Sequence, residues 1–173
     1  NSAANVQALA ADENVTDSVV ATSADTTATR TITVTITGLN DLASIGGTVA
    51  GGVVEDSAMS FSGAVVVDDN DTAQSLVQPI ANQSGAYGTF NVDANGSWTY
   101  SLTDTPTIQA LEQGETLSDG VTLTSYDSTA TQDLNVTITG ANDAPVAQTP
   151  QAYSIKKGSD LNVTLSATDV DNN

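Results

Sequence analysis

The stretch VTITGLND, Val34 to Asp41, returns as VTITGAND at Val136 to Asp143, 102 residues later. Ile32, Val34 and Ile36 alternate with Thr31, Thr33, Thr35 and Thr37, and Leu134, Val136 and Ile138 repeat the pattern. A period of two puts the aliphatic side chains on one face of a strand and the polar ones on the other. Threonine and β-branched residues suit such a half-buried pleated surface. The match runs well beyond these strands: between residues 6 and 43, 19 of 38 positions are identical to the residue 102 further on. Solenoid repeats are shorter than this, so the period marks an array of whole domains. The expected organisation is the C-terminal part of one unit (1–43), a complete second unit (44–143) and the start of a third (144–173).

Within the complete unit the same alternation recurs. TFNVDANGSWTYSL, Thr89 to Leu102, predicts a hairpin with Phe90 and Val92 facing Trp98, Tyr100 and Leu102, and with Asn95-Gly96 as the turn. Met59, Phe61, Val65 and Val67 mark another strand. Seven strands are expected, at about 46–54, 58–67, 74–80, 88–92, 97–102, 117–126 and 131–139, with one short helical turn in PTIQALEQGE. Seven short strands in about 100 residues fit an all-β, immunoglobulin-like antiparallel sandwich.

The chain carries 21 acidic residues against Arg30, Lys156 and Lys157, a net charge of -18. Such a charge repels phosphate, so nucleic acid and anionic membrane surfaces are poor partners. Acidic chains low in aromatics are often disordered, but 39% hydrophobic residues in regular alternation argue for folded structure. No apolar run is longer than Ala64 to Val67, which is too short to cross a bilayer. The chain has no cysteine, hence no disulfide or thiolate chemistry. It has no histidine, so a Ser-His-Asp triad and imidazole metal sites are excluded. Carboxylate pairs abound, but in so acidic a chain their proximity says little, and the chain is read as not an enzyme.

Strand direction gathers acids at one end of the sandwich. The loops carrying Asp68-Asp69-Asn70-Asp71, Asp93-Ala94-Asn95 and Tyr126-Asp127 all return to the end where the linker Asn40-Asp41 enters. Carboxylates held close repel one another. A hard divalent cation removes that cost, and calcium accepts six to eight oxygens in flexible geometry.

The run from YGTFNVDANGSWTYSL to NVTITGANDAP resembles the VCBS repeat of large bacterial RTX-type surface adhesins and exoproteins. The last stretch, from Ala144, is similar to the opening of a cadherin-like repeat. The resemblance implies a tandem cadherin-like or immunoglobulin-like sandwich in a secreted protein, used for cell adhesion or biofilm formation at the bacterial surface. It also implies calcium at the domain junctions. Asn40-Asp41 and Asn142-Asp143 resemble the Asn-Asp of the cadherin linker. Asp69-x-Asp71 and Asp169-x-Asp171 resemble its Asp-x-Asp motif, Asp127 its aspartate after the penultimate strand, and Glu55 its acid near the first strand. The acidic pair usual between the fifth and sixth strands is not evident, leaving Glu112, Glu115 or Glu13 as substitutes.

Simpler readings stand beside these. Asp93-Ala94-Asn95-Gly96 reads first as a plain turn, Asp127 as a strand end, and Trp98 and Tyr100 as core residues rather than a sugar-stacking platform. The expected function is a structural extender with calcium-stiffened junctions. Its partners are neighbouring repeats of the same chain and neighbouring copies, with polysaccharide or cell surfaces bound through other domains, and neither nucleic acid nor membrane insertion is expected in this segment. A carbohydrate- or cell-binding module, or an accessory domain of a secreted hydrolase, are the competing readings.

Overall fold

A computed structural model describes residues 3–148 and 152–171. The repeated phrase forms the same object twice. The strands β1 (Asn14–Thr22) and β2 (Thr29–Thr37) pair antiparallel from Asn14↔Thr37 to Thr22↔Thr29. A second hairpin, Thr116–Thr124 with Thr131–Thr139, pairs from Thr116↔Thr139 to Thr124↔Thr131, so every pair is shifted by 102. A short helix precedes each hairpin, α1 (Ala3–Gln7) before the first and α2 (Pro106–Gln109) before the second. Thr105 caps α2 with its hydroxyl, and proline takes the first helical position, where no amide is needed.

Between the hairpins lie β3 (Ser44–Gly47), β4 (Ala50–Val54), β5 (Ser60–Asp68), β6 (Ile80–Ser84), β7 (Gly88–Val92) and β8 (Ser97–Leu102). The second hairpin is then β9 (Thr116–Thr124) and β10 (Thr131–Thr139). One sheet runs β3-β5-β8-β7-β6 and is antiparallel throughout; the other runs β4-β10-β9, with β4 parallel to β10. Their inner faces enclose Val53, Val65, Val77, Phe90, Trp98, Tyr100, Leu123, Leu134, Val136 and Ile138. This is an all-β sandwich, as the alternation predicts, antiparallel in every ladder but β4–β10. Beyond it, β11 (Val146–Ala147) pairs with β12 (Ala167–Thr168).

Two strands differ from expectation. The single strand at 46–54 is broken: β3 belongs to one sheet and β4 to the other. The chain changes sheets at Thr48 and Val49, after Gly47 at φ 91°. The strand expected at 74–80 is reduced to one bridge, Val77↔Ser125. Pro79 has no amide for a ladder, and past it the chain joins the opposite sheet as β6, pairing with β7 instead.

Trp98 and Tyr100 are 1% and 0% exposed, which removes the sugar-stacking alternative. The indole packs on Phe61 at 5.3 Å between ring centroids and donates to the Thr48 carbonyl at 2.8 Å. The Tyr100 hydroxyl donates to Asp119 at 3.0 Å. Asp119 lies on the inner face of β9 and also accepts the amides of Ala86 and Tyr87, in the loop joining β6 to β7. One buried carboxylate thereby ties the two sheets together.

Candidate metal centres

The linker Asn40-Asp41 lies against the central sandwich through direct bonds. Asn40 Nδ2 donates to Asp127 Oδ2 at 2.9 Å, and the Asp41 amide to Asp71 Oδ2 at 2.9 Å. The Asp71 amide in turn donates to Asp69 Oδ1 at 2.8 Å. Two contacts flank them: the Ala43 amide to Thr129 Oγ1 at 2.9 Å, and the Thr72 amide and hydroxyl to the Ala8 carbonyl at 3.1 and 2.8 Å. Asn40, Asp41, Asp69, Asp71 and Asp127, scattered over 88 positions of sequence, thus meet at one end of the sandwich, the upper junction.

The second linker repeats the frame. The Asp143 amide donates to Asp171 Oδ2 at 3.1 Å, and the Asp171 amide to Asp169 Oδ1 at 3.2 Å. Asn142 Nδ2 donates to the Asp143 carbonyl at 2.6 Å, as Asn40 Nδ2 does to the Asp41 carbonyl at 2.6 Å. Glu55 belongs to this lower junction. It follows β4, which runs parallel to β10 and ends beside it, so its Oε1 accepts the Ala141 amide at 2.7 Å.

Each frame satisfies one edge of its acids and leaves the other bare. Among the described residues, buried oxygens without a hydrogen-bond partner are Asp69 Oδ2, Asp71 Oδ1 and Gln74 Oε1 above, and Glu55 Oε2, Asp143 Oδ2 and Asp171 Oδ1 below. Glu55, Asp71 and Asp171 are 1%, 2% and 4% exposed. Leaving a buried charged oxygen unpaired costs a few kcal/mol, of order 1–3 or more per group. Arg30, Lys156 and Lys157 are all exposed. Every orphaned atom is a hard oxygen, the donor type calcium takes, and in this respect the residues fit the ion. Among the described residues no three acidic side chains are placed together so as to hold a metal ion by themselves, so backbone carbonyls, side-chain amides or water would have to supply the remaining ligands.

The electrostatics of the two ends differ. Burial, then the neighbouring charges of Asp56, Asp143 and Asp171, push the Glu55 carboxyl up against the pull of the Ala141 amide. Burial and the charges of Asp56, Asp171 and Asp169 push Asp143 up as well. At Asp127 burial is outweighed by donors from Asn40, Ser125 and Thr129, which hold its carboxyl below the ordinary range.

Asp93 contributes to a turn: its carbonyl accepts the Gly96 amide at 2.9 Å and its amide donates to the Ser97 carbonyl at 2.8 Å. Glu13 and Glu115 each use a side-chain oxygen to accept the amide three residues earlier, from Ala10 and Glu112, at 3.2 Å. Three participants escape the sequence reading. Gln74 is uncharged and carries no motif. Asp56 is adjacent to Glu55 and carries no motif of its own. Asp119 did leave a signal, an acid on the apolar face that recurs 102 residues apart as Asp17.

An all-β sandwich with acidic junctions at both ends is the class these features define. The chain matches no protein-family model and no curated protein. Among solved structures it is similar to mouse clustered PcdhgC3 EC1-3, at 15% identity and a TM-score of 0.46, over 98% of this chain. The aligned part is 57% of that chain's length. So distant a likeness adds nothing to the fold argued from strand order above. No helix among the described residues is long and apolar enough to cross a membrane.

Proposed function

We propose that the chain is an extender segment of a secreted bacterial surface adhesin, a row of sandwiches whose junctions are stiffened by calcium to support cell adhesion or biofilm formation. Residues 44–143 act as one complete repeat, flanked by the end of one unit and the beginning of another. The recurrence of the linker-to-Asp-x-Asp frame at both ends, each with buried oxygens left bare, carries this reading. The VCBS resemblance gives it its setting. Neighbouring repeats are the immediate partners, and polysaccharide or cell surfaces are bound through other domains.

The mechanism is mechanical. The Asp41 and Asp143 amides hold the linkers onto Asp71 and Asp171, which fixes where the acidic oxygens stand. A bound calcium ion supplies compact positive charge and room for six to eight oxygens. With their repulsion relieved, acids from linker and loop hold one geometry, and adjacent units keep a fixed angle.

Calorimetry on the full chain tests this. Calcium should bind in the weak extracellular range, roughly 10⁻⁴ to 10⁻³ M at the weaker site, and Asp69→Ala with Asp71→Ala should remove part of the heat. A chain whose heat signal and melting ignore both calcium and chelator has no such junctions.

A further inference from the structure

Two hairpins of closely similar sequence stand in opposite surroundings. On β9–β10, Leu134, Val136 and Ile138 are fully buried beneath the β3-β5-β8-β7-β6 sheet. Their counterparts 102 residues earlier, Ile32, Val34 and Ile36, line an open groove with Asp17, Ser18 and Val19. Val19, Ile32 and Val34 stay 61%, 51% and 55% exposed there. We propose that this face of β1–β2 is a docking surface for a covering half-sandwich of the kind that residues 44–102 form, and that Asp17 is the carboxylate that anchors it. This rests on the repeat reading above and deepens it by naming the occupant and its polar contact.

The hairpin itself is already shaped for a cover. The Gly38 amide donates to the Glu13 carbonyl at 2.7 Å, as Gly140 donates to Glu115 at 2.8 Å, and Leu9 and Leu111 are buried alike beside these glycines. The two differ in what lies around them. Among the described residues β10 sits between β4 and β9, whereas β2 pairs with β1 alone. A two-stranded hairpin by itself is marginally stable in water. An open strand edge and a bare apolar face both favour association.

Asp17 decides which occupant fits. Its counterpart Asp119 accepts one amide from its own strand, Gly120, and three donors from the covering sheet: the Ala86 and Tyr87 amides and the Tyr100 hydroxyl. Asp17 accepts the matching local amide, Ser18 at 2.8 Å, and among the described residues nothing supplies the other three. A wholly apolar cover would bury this carboxylate without donors, which is strongly unfavourable. A second copy laying its own β1–β2 face on this one would bury two such carboxylates together. A sheet with a tyrosine hydroxyl and two turn amides at the places of Tyr100, Ala86 and Tyr87 satisfies the acid. Its aromatic face, like the stacked Phe90 and Tyr100 rings, fills the groove beside it. The strand equivalent to β4 then takes the open edge of β2, as β4 takes that of β10.

The test compares the full chain with an extended one in which residues 44–102 are added directly ahead of Asn1, the counterpart of Thr103. Both are studied in chelator, so the result is independent of calcium at the junctions. In the parent, the β1–β2 amides should exchange with solvent faster than those of β9–β10, and the bare face should bind an apolar dye. The extension should slow that exchange to the β9–β10 level and abolish the dye signal. Asp17→Ala should be silent in the parent. In the extended chain it should lower the melting of the added unit on the order of ten degrees, or restore the fast exchange outright. An added segment that stays unstructured and leaves the hairpin exposed overturns the repeat reading along with the docking surface. One that closes over the hairpin yet ignores Asp17→Ala overturns the anchor and leaves the repeat standing. A parent that sediments as a dimer, and is made monomeric by Ile32→Lys, gives the face to a second copy and overturns the occupant named here.

Discussion

Asp119 and Asp17 are one residue in two settings. Both interrupt an apolar face at the same place in a hairpin, and both accept the amide of the next residue, at 2.9 and 2.8 Å. Asp119 also holds Ala86, Tyr87 and Tyr100, and is buried, whereas Asp17 is exposed. Asp119→Ala leaves several buried donors without an acceptor and should cost about 3 kcal/mol in chemical denaturation. Asp17→Ala should stay within about 0.5 kcal/mol, the ordinary range for a surface change. Equal costs would mean that Asp119 does not link the sheets. The acid limb of stability follows from the same group. Burial alone would raise its carboxyl, but the donors from Tyr87, Ala86, Tyr100 and Gly120 outweigh it and lower it below 3.8. Stability from a lowered carboxyl is present above the unfolded value and lost as pH falls through the folded one. Melting of the parent should therefore drop in strong acid, and Asp119→Ala should flatten that drop.

Alternation finds strands well where one strand stays in one sheet. The hairpins β1–β2, β7–β8 and β9–β10 are all legible, because an apolar face and turn residues fix their register. The broken first strand is not legible, since SIGGTVAGGVV alternates too weakly to show that it serves two sheets. Gly47 makes the change possible. At φ 91° a side chain is strained, and a Cβ there would stand 2.8 Å from the Ala64 carbonyl. Gly47→Val should lower stability by about 2 kcal/mol. A neutral result would show that the crossing does not depend on that conformation. Pro79 could be read as a strand end, but the sequence does not say that the next strand joins the other sheet.

Across the chain, the sandwich core owes nothing to the acidic ends. Calcium should leave the far-UV circular dichroism unchanged while lengthening and narrowing the dimensions seen by small-angle scattering. Loss of strands on chelation would move the ion into the core, and unmoved dimensions would remove it from the joints. Proton linkage gives a second readout. Glu55 and Asp143 have folded values above their ordinary 4.5 and 3.8. The folded state binds protons more readily there, so in chelator stability should rise as pH falls from neutral toward those raised values. Saturating calcium should abolish or reverse that trend, because only the ionised oxygens are good ligands. A melting profile with the same pH slope in calcium and chelator would dissociate these acids from any cation.

Period and alternation were enough to show the 102-residue recurrence and the class of fold. These are regularities of the covalent chain: a strand shows its buried face at every second residue, and a copied unit repeats its spacing. Which end of the sandwich receives Glu55, and which acids keep a bare oxygen and which are saturated, depend on contacts between distant segments. The reason is that hydrogen bonds are allotted in space. Asp127 and Asp71 read alike as loop acids, yet Asn40, Ser125 and Thr129 saturate the first, while the second meets one linker amide and leaves an oxygen unpaired.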